Sequence, residues 1–290
     1  MPRCEVCFRH CEIKEGTLGF CLARTAKGGK VTAANYGRLT GIASDPIEKK
    51  PLASFFPGSK VLSVGSYGCN LRCPFCQNSD ISWAPNVKGF TDSMAENVRF
   101  VAPSELVSIA ERYVEAGNIG VAFTYNEPLV GYEYIRDTAK LVHEKGLKNV
   151  LVSNGTATLP VLEEILPFID AMNVDLKGFT DHYYKDVLGG DLDMVKSFIE
   201  RAVKDCHVEL TTLIVPGEND SEDEMRELSS WVASLKDKNG NTIGTEVSLH
   251  VSRFFPRFNM LDRPATDVKT VYRLAEVARE KLNYVYTGNC

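Results

Sequence analysis

From residue 61 onward, short apolar runs alternate with longer amphipathic segments. KVLSVGSYG (60–68), NIGVAFTY (118–125), LKNVLVSN (147–154), DAMNVDLK (170–177), HVELTTLIV (207–215) and TEVSLHVS (245–252) have the length and apolar content of strands. Between and after them the pattern predicts helices over 104–117, 131–146, 158–167, 191–205, 219–237 and 264–282. Pro103 and Ser104 open the first, and Gly117 and Gly146 close the first two. Asn219, Asp220 and Ser221 open the fifth, and NYVYTG (283–288) adds a final short strand. Strands alternating with helices make βα units and a parallel sheet. The six good strands are fewer than the eight of a closed TIM barrel. The expectation is an α/β fold, an open partial (β/α)6 barrel, with its site at the C-terminal strand ends.

Residues 1–60 differ. They hold Cys4, Cys7, Cys11 and Cys21, several glycines and few apolar runs. A segment so poor in core residues needs a metal or its neighbour to fold. The expected division is a Cys-rich extension (1–60), a partial barrel (61–260) and a C-terminal helix with a short strand (261–290).

Composition narrows the chemistry. The 290 residues are 44% hydrophobic and 24% charged, ordinary for a globular chain. The balance of 33 basic against 38 acidic side chains gives no polyanion-binding surface, so no nucleic acid is expected. No apolar stretch approaches the ~18 to 20 residues that span a bilayer, and MPRCEVCFRH is no signal peptide. A cytoplasmic, membrane-free protein is expected. Nine cysteines there argue against disulfides and for metal.

Seven of the nine fall into two groups. The first, GSYGCNLRCPFCQN (65–78), directly follows the first strand and spaces Cys69, Cys73 and Cys76 as C-x3-C-x2-C. Thiolates are the usual ligands of iron–sulfur clusters. Three thiolates leave one iron of a [4Fe–4S] cube open, like the open position of a catalytic metal. Zinc prefers four ligands, and three unevenly spaced cysteines suit it poorly. The second group, Cys4, Cys7, Cys11 and Cys21, reads C-x2-C-x3-C-x9-C. It suits a closed Cys4 zinc site or an iron–sulfur cluster, and the spacing leaves both open. Cys206 reads as a buried apolar thiol, and Cys290 ends the sequence.

C-x3-C-x-aromatic-C after a first strand resembles the radical S-adenosylmethionine (SAM) superfamily motif. DPIEKKPL (45–52), FFPGS (55–59) and GCNLRCPFCQN (68–78) resemble a narrower group. These segments are similar to relatives of the pyruvate formate-lyase activating enzyme, and more closely to the radical SAM enzyme of the AmmeMemoRadiSam system. The N-terminal cysteine pattern is close to that of the same group. Many of those relatives continue past YTGNC with a further C-x2-C segment, where this sequence stops.

The resemblance implies reductive cleavage of SAM to a 5′-deoxyadenosyl radical, which abstracts a hydrogen atom from a substrate. It implies a [4Fe–4S] cluster on Cys69, Cys73 and Cys76, with Phe75 packing on the SAM adenine. It puts FTYNEP (123–128) at the SAM amino group, with Thr124, Tyr125, Asn126 and Glu127 as candidates. SNG (153–155) offers Ser153 and Asn154 to the ribose or carboxylate. DLK (175–177) matches the activating enzymes residue by residue and offers Asp175 and Lys177. His250 stands where relatives carry a histidine close to SAM. Arg253 and Arg257, around Phe254, Phe255 and Pro256, suit an anionic substrate group or a barrel cap.

The implied partners are a flavodoxin- or ferredoxin-like electron donor and a small-molecule or protein substrate. AMMECR1-like and Memo-like proteins are the implied pathway neighbours. An activating enzyme would instead take a glycyl α-hydrogen from a partner protein. A non-catalytic iron–sulfur or zinc protein is the rival from another class. It would use the cysteines without needing TYNEP, SNG and DLK at successive strand ends.

Overall fold

The computed structural model describes residues 1–83 and 98–290. In the N-terminal part, β1 (Arg24–Lys27) and β2 (Lys30–Ala33) form an antiparallel hairpin. β3 (Arg38–Leu39) is followed at once by β4 (Gly41–Pro46). The βα series then begins with β5 (Lys60–Gly65), the one-turn helix α1 (Ser79–Ser82), β6 (Arg99–Phe100) and α2 (Pro103–Arg112). It continues as β7 (Asn118–Phe123), α3 (Tyr132–Glu144), β8 (Lys148–Ser153), α4 (Leu159–Ile165) and β9 (Ala171–Asp175). It ends with α5 (Leu192–Ala202), β10 (His207–Ile214), α6 (Glu222–Ala233), β11 (Ser248–Arg253), α7 (Val268–Arg279) and β12 (Val285–Gly288).

One eight-stranded sheet carries the fold, in the order β12-β11-β10-β9-β8-β7-β5-β4. All its pairs are parallel except β4 with β5. The six expected strands are its centre. Strands buried on both faces read as continuous apolar runs, and β5, β7, β8 and β9 do so. Residues 41–46, inside the stretch that composition sets apart, join the sheet as its antiparallel edge. The helices cover the outside with faces such as Val195, Phe198, Ile199 and Ala202 of α5.

Caps set the helix limits. Asp191 accepts from the Met194 N–H at 3.0 Å, and Ser221 from the Glu224 N–H at 3.2 Å. The fifth predicted helix starts at Glu222 and not at 219, because Asn219 is bonded elsewhere. Its Oδ1 accepts from the Val215 N–H, and its Nδ2 donates to the carbonyls of Lys177 and Leu213. It thereby ties the ends of two neighbouring strands together.

The N-terminal segment shares the barrel's core: Cys4, Val6 and Ile13 pack in one cluster with Leu71, Phe123 and Leu176. Residues 47–56 fold beneath the strands as a floor. Ile47 and Leu52 pack there on Val61, Ala122, Val150 and Ala171. Asn173 Nδ2 donates to the Pro51 carbonyl at 2.8 Å. Among the described residues no helix is long and apolar enough to cross a membrane.

Candidate active site

The loop leaving β5 carries the three cysteines of the motif. Leu71, 1% exposed, anchors its middle in the core. Gly68 has φ +91°, and a Cβ there would stand 2.5 Å from the Cys21 carbonyl oxygen. The Cys69 N–H donates to that same carbonyl at 3.2 Å. The Cys76 N–H donates to the Cys73 carbonyl, so the second and third cysteines share a tight turn. All three are free thiols, with Cys73 buried and the other two half-buried. Desolvation pushes the Cys69 thiol well above its ordinary range and Cys73 up to about 11, opposed at Cys73 by Lys177. Thiolates are held in such a place only when a cation answers them, and thiolate is the form that binds metal.

The ends of β7 and β8 grip this loop. Asn126 Oδ1 accepts from the Ser66 N–H at 2.9 Å, and its Nδ2 donates to the Gly68 carbonyl at 3.0 Å. Asn154 Nδ2 donates to Asn70 Oδ1 at 3.0 Å and approaches Cys69 Sγ at 3.7 Å. Asn70 Nδ2 in turn donates to the Thr156 carbonyl. Glu127, 3% exposed, caps the helical turn 128–131 through the Leu129 N–H at 3.0 Å. It also accepts from Ser153 Oγ at 2.8 Å and from the Asn154 N–H at 2.7 Å. Burial raises its pKa to about 7 against the pull of these three donors. The backbone of buried Thr124 continues β7 by donating to the Val64 carbonyl.

β9 delivers the DLK segment to the same place. Lys177 Nζ lies 2.8 Å from Asp175 Oδ2. Burial works against its charge, but Asp175 and Cys73 raise its pKa above the usual lysine range. The Lys177 N–H donates to the Tyr184 hydroxyl at 3.0 Å, fixing the turn. Phe75, 7% exposed, packs edge-on against Phe254 with ring centroids 6.1 Å apart. The Asn259 N–H donates to the Pro74 carbonyl, so the segment after β11 covers the CPFC turn. Arg253 Nε is bonded to the Thr266 carbonyl of its own loop, and Arg257 is exposed.

Two of the candidates meet other partners. The Tyr125 hydroxyl donates to Asp45 Oδ2 at 2.9 Å, and its ring packs where a Gly65 Cβ would be. His250 Nε2 lies 2.7 Å from Glu209 Oε2 and stacks on Tyr286. Glu209 is wholly buried and also meets His207 and the N–H groups of Ala53 and Ser54. Desolvation would raise its pKa, yet these four donors bring it down to about 2. Neither Glu209 nor Asn70 figured among the sequence candidates. A lone acid inside the apolar run HVELTTLIV was the available signal for the first, and a place inside the cysteine motif for the second.

Cys4, Cys7, Cys11 and Cys21 gather around a separate cavity of about 10 Å³. Cys206 is half-buried, with its thiol 3.4 Å from the His207 carbonyl oxygen, and Cys290 is exposed.

A family model described as Radical SAM superfamily matches residues 63–229. An uncharacterised protein of Methanocaldococcus jannaschii is 40% identical over 99% of this chain and 81% of its own length. The pyruvate formate-lyase-activating enzyme of Clostridium pasteurianum is 29% identical over 62% of this chain and 72% of its own. The crystal structure of a radical SAM methyltransferase from Sphaerobacter thermophilus superposes with a TM-score of 0.55 at 18% identity. It covers 80% of this chain and 67% of that one, a likeness of fold.

Proposed function

Because this chain belongs to the radical SAM superfamily, whose members use a [4Fe–4S] cluster and SAM, we propose that Cys69, Cys73 and Cys76 hold that cluster and that the chain abstracts a hydrogen atom from a substrate. The donor set fits the group. Three free thiols, within electrostatic reach of one another, sit on one loop at the C-terminal end of the sheet. When bound and reduced, the cluster supplies the electron that cleaves SAM to methionine and a 5′-deoxyadenosyl radical.

The chain's own residues bind, orient and shield. Asn126 and Asn154 hold the cysteine loop by its backbone and by Asn70. Lys177 gives the thiolates a nearby positive charge, and Asp175 keeps that lysine protonated at Nζ. Asp175 has a second carboxylate oxygen with which to accept from the SAM ammonium. Thr124 and Ser153 line the adjoining strand ends. Phe75 and Phe254 form an apolar wall that excludes water from one side of the cysteines and suits the adenine.

The single observation that carries this reading is the convergence of three free thiols with Asp175 and Lys177 at neighbouring strand ends. The likeness of residues 45–52, 55–59 and 68–78 to the AmmeMemoRadiSam group supports a cytoplasmic pathway shared with AMMECR1-like and Memo-like proteins. The identity with the Clostridium enzyme supports a second reading, a glycyl radical installed on a partner protein. A flavodoxin- or ferredoxin-class donor suits either one.

The test is anaerobic. The chain is reconstituted with iron and sulfide, reduced with dithionite and given SAM, and 5′-deoxyadenosine is sought by chromatography. Product from the wild type but not from the Cys69→Ala/Cys73→Ala/Cys76→Ala variant is the expected result. A reducible cluster that neither binds SAM nor yields product would overturn the proposal in favour of a non-catalytic iron–sulfur protein.

A further inference from the structure

We propose that Cys4, Cys7, Cys11 and Cys21 hold a second iron–sulfur cluster, set directly against the loop of the first. The inference stands on these N-terminal residues and does not require the reading of Cys69, Cys73 and Cys76. The sequence leaves zinc and a cluster both open, the C-x2-C spacing of the first pair being zinc-like; the structure separates them by size.

The four thiols ring a cavity of about 10 Å³, room for about one water molecule, together with Val6, Ile13 and Val130. A closed Cys4 zinc site holds its sulfurs about 2.3 Å from the ion, which leaves no space for a water among them. A cavity among the thiols that admits a water is wider than one zinc ion fills. Among the described residues no three His, Cys, Asp or Glu side chains converge on a point able to hold a single ion. The same is true of Cys69, Cys73 and Cys76, whose family cofactor is a four-iron core. Thiolates spread round a space larger than one ion suit an iron–sulfide core in both places.

The backbone keeps the ring open. The Cys4 N–H donates to the Cys11 carbonyl at 2.9 Å, and the His10 N–H to the Cys7 carbonyl at 3.2 Å. These bonds pin the loop that presents three of the thiols. Cys21 lies on the turn whose carbonyl accepts from the Cys69 N–H.

Charge supports a thiolate-bound metal there, while the size of the cavity selects which. Arg9 and Arg72 sandwich the Phe20 ring, their guanidinium carbons 3.3 and 3.9 Å from its centroid. Arg9 Nε donates to the Asn70 carbonyl at 2.7 Å, and Arg72 Nη1 to the Cys69 carbonyl at 2.7 Å. Both are half-buried, and among the described residues neither forms an ion pair with a carboxylate. Arg9 also donates to the Gly189 carbonyl and Arg72 to those of Leu71 and Phe20, and a thiolate-ligated metal on the N-terminal cysteines sets an anion beside these carbonyl-held cations.

The decisive experiment counts metal in the Cys69→Ala/Cys73→Ala/Cys76→Ala variant, reconstituted anaerobically with iron, sulfide and zinc all present. The expected result is about two or four irons per chain with matching sulfide and no zinc, for a two- or four-iron core on four cysteines. The wild type should then hold about six or eight irons, the difference being the first cluster. A variant with one zinc and no sulfide, or with no metal, overturns the inference. If that variant fails to fold, the wild type decides: four irons plus one zinc refutes a second cluster. Loss of the first cluster alone leaves the variant's iron untouched, so the two proposals fail separately.

Discussion

Glu127 accepts from the Asn154 backbone N–H at 2.7 Å, a bond between the loop after β7 and the end of β8. It makes a buried carboxylate part of the frame behind the cysteines. Its pKa is raised from 4.5 to about 7, with desolvation the largest cause. A folded-state pKa above the unfolded one means that the folded protein binds the proton more tightly. The stability this contributes is full below about pH 4.5 and is lost as the pH rises towards 7. Urea midpoints measured across that window should therefore fall with rising pH in the wild type. In Glu127→Gln the midpoint should be lower, because one of the three donors faces an NH2 group, and this component of the slope should vanish. An unchanged slope in the variant would assign the dependence to another group.

Lys177 and Asp175 form a pair beside Cys73, and removal of the cation leaves a carboxylate alone with thiolates. Lys177→Met should lower 5′-deoxyadenosine formation about 10- to 100-fold, as loss of outer partners at metal sites does. Lys177→Arg keeps the charge and should recover part of the rate. The assay is single-turnover product formation at matched iron content. Equal rates for Met and Arg would show that the positive charge does not matter.

Glu209 binds four donors and His250 is one of them, so the two should differ sharply in cost. Glu209→Leu strands the Ala53 and Ser54 N–H groups and two histidines, at about 1 to 3 kcal/mol for each group left buried and unpaired. His250→Leu removes one donor of four and should cost about 1 to 3 kcal/mol in all. Chemical denaturation of the two variants checks the order. A larger loss for His250→Leu would point to a role for the imidazole beyond the floor of the barrel.

The central strands were legible because parallel strands buried on both faces must be apolar throughout. β4 was not, since GIASDP is an exposed edge with Gly, Asp and Pro and shows no alternation. The predicted start of the fifth helix differs from the observed one because Asn219, a good cap by composition, is bonded to Lys177 and Leu213 at the ends of the two preceding, neighbouring strands. At the candidate site, the spacing of the cysteines singles out their loop in the sequence. The arrangement around Glu127 was not legible, because its donors come from the end of another strand. Glu209 was visible as a misfit in its strand, but its partners Ala53 and Ser54 lie more than 150 residues earlier.

The contact between Cys21 and Cys69, with Gly68 pressed against it, makes the N-terminal segment one wall of the cysteine loop. A shortened chain lacking residues 1–21 would not simply lose an appendage. It would remove the surface on which the cysteine loop of the barrel is moulded.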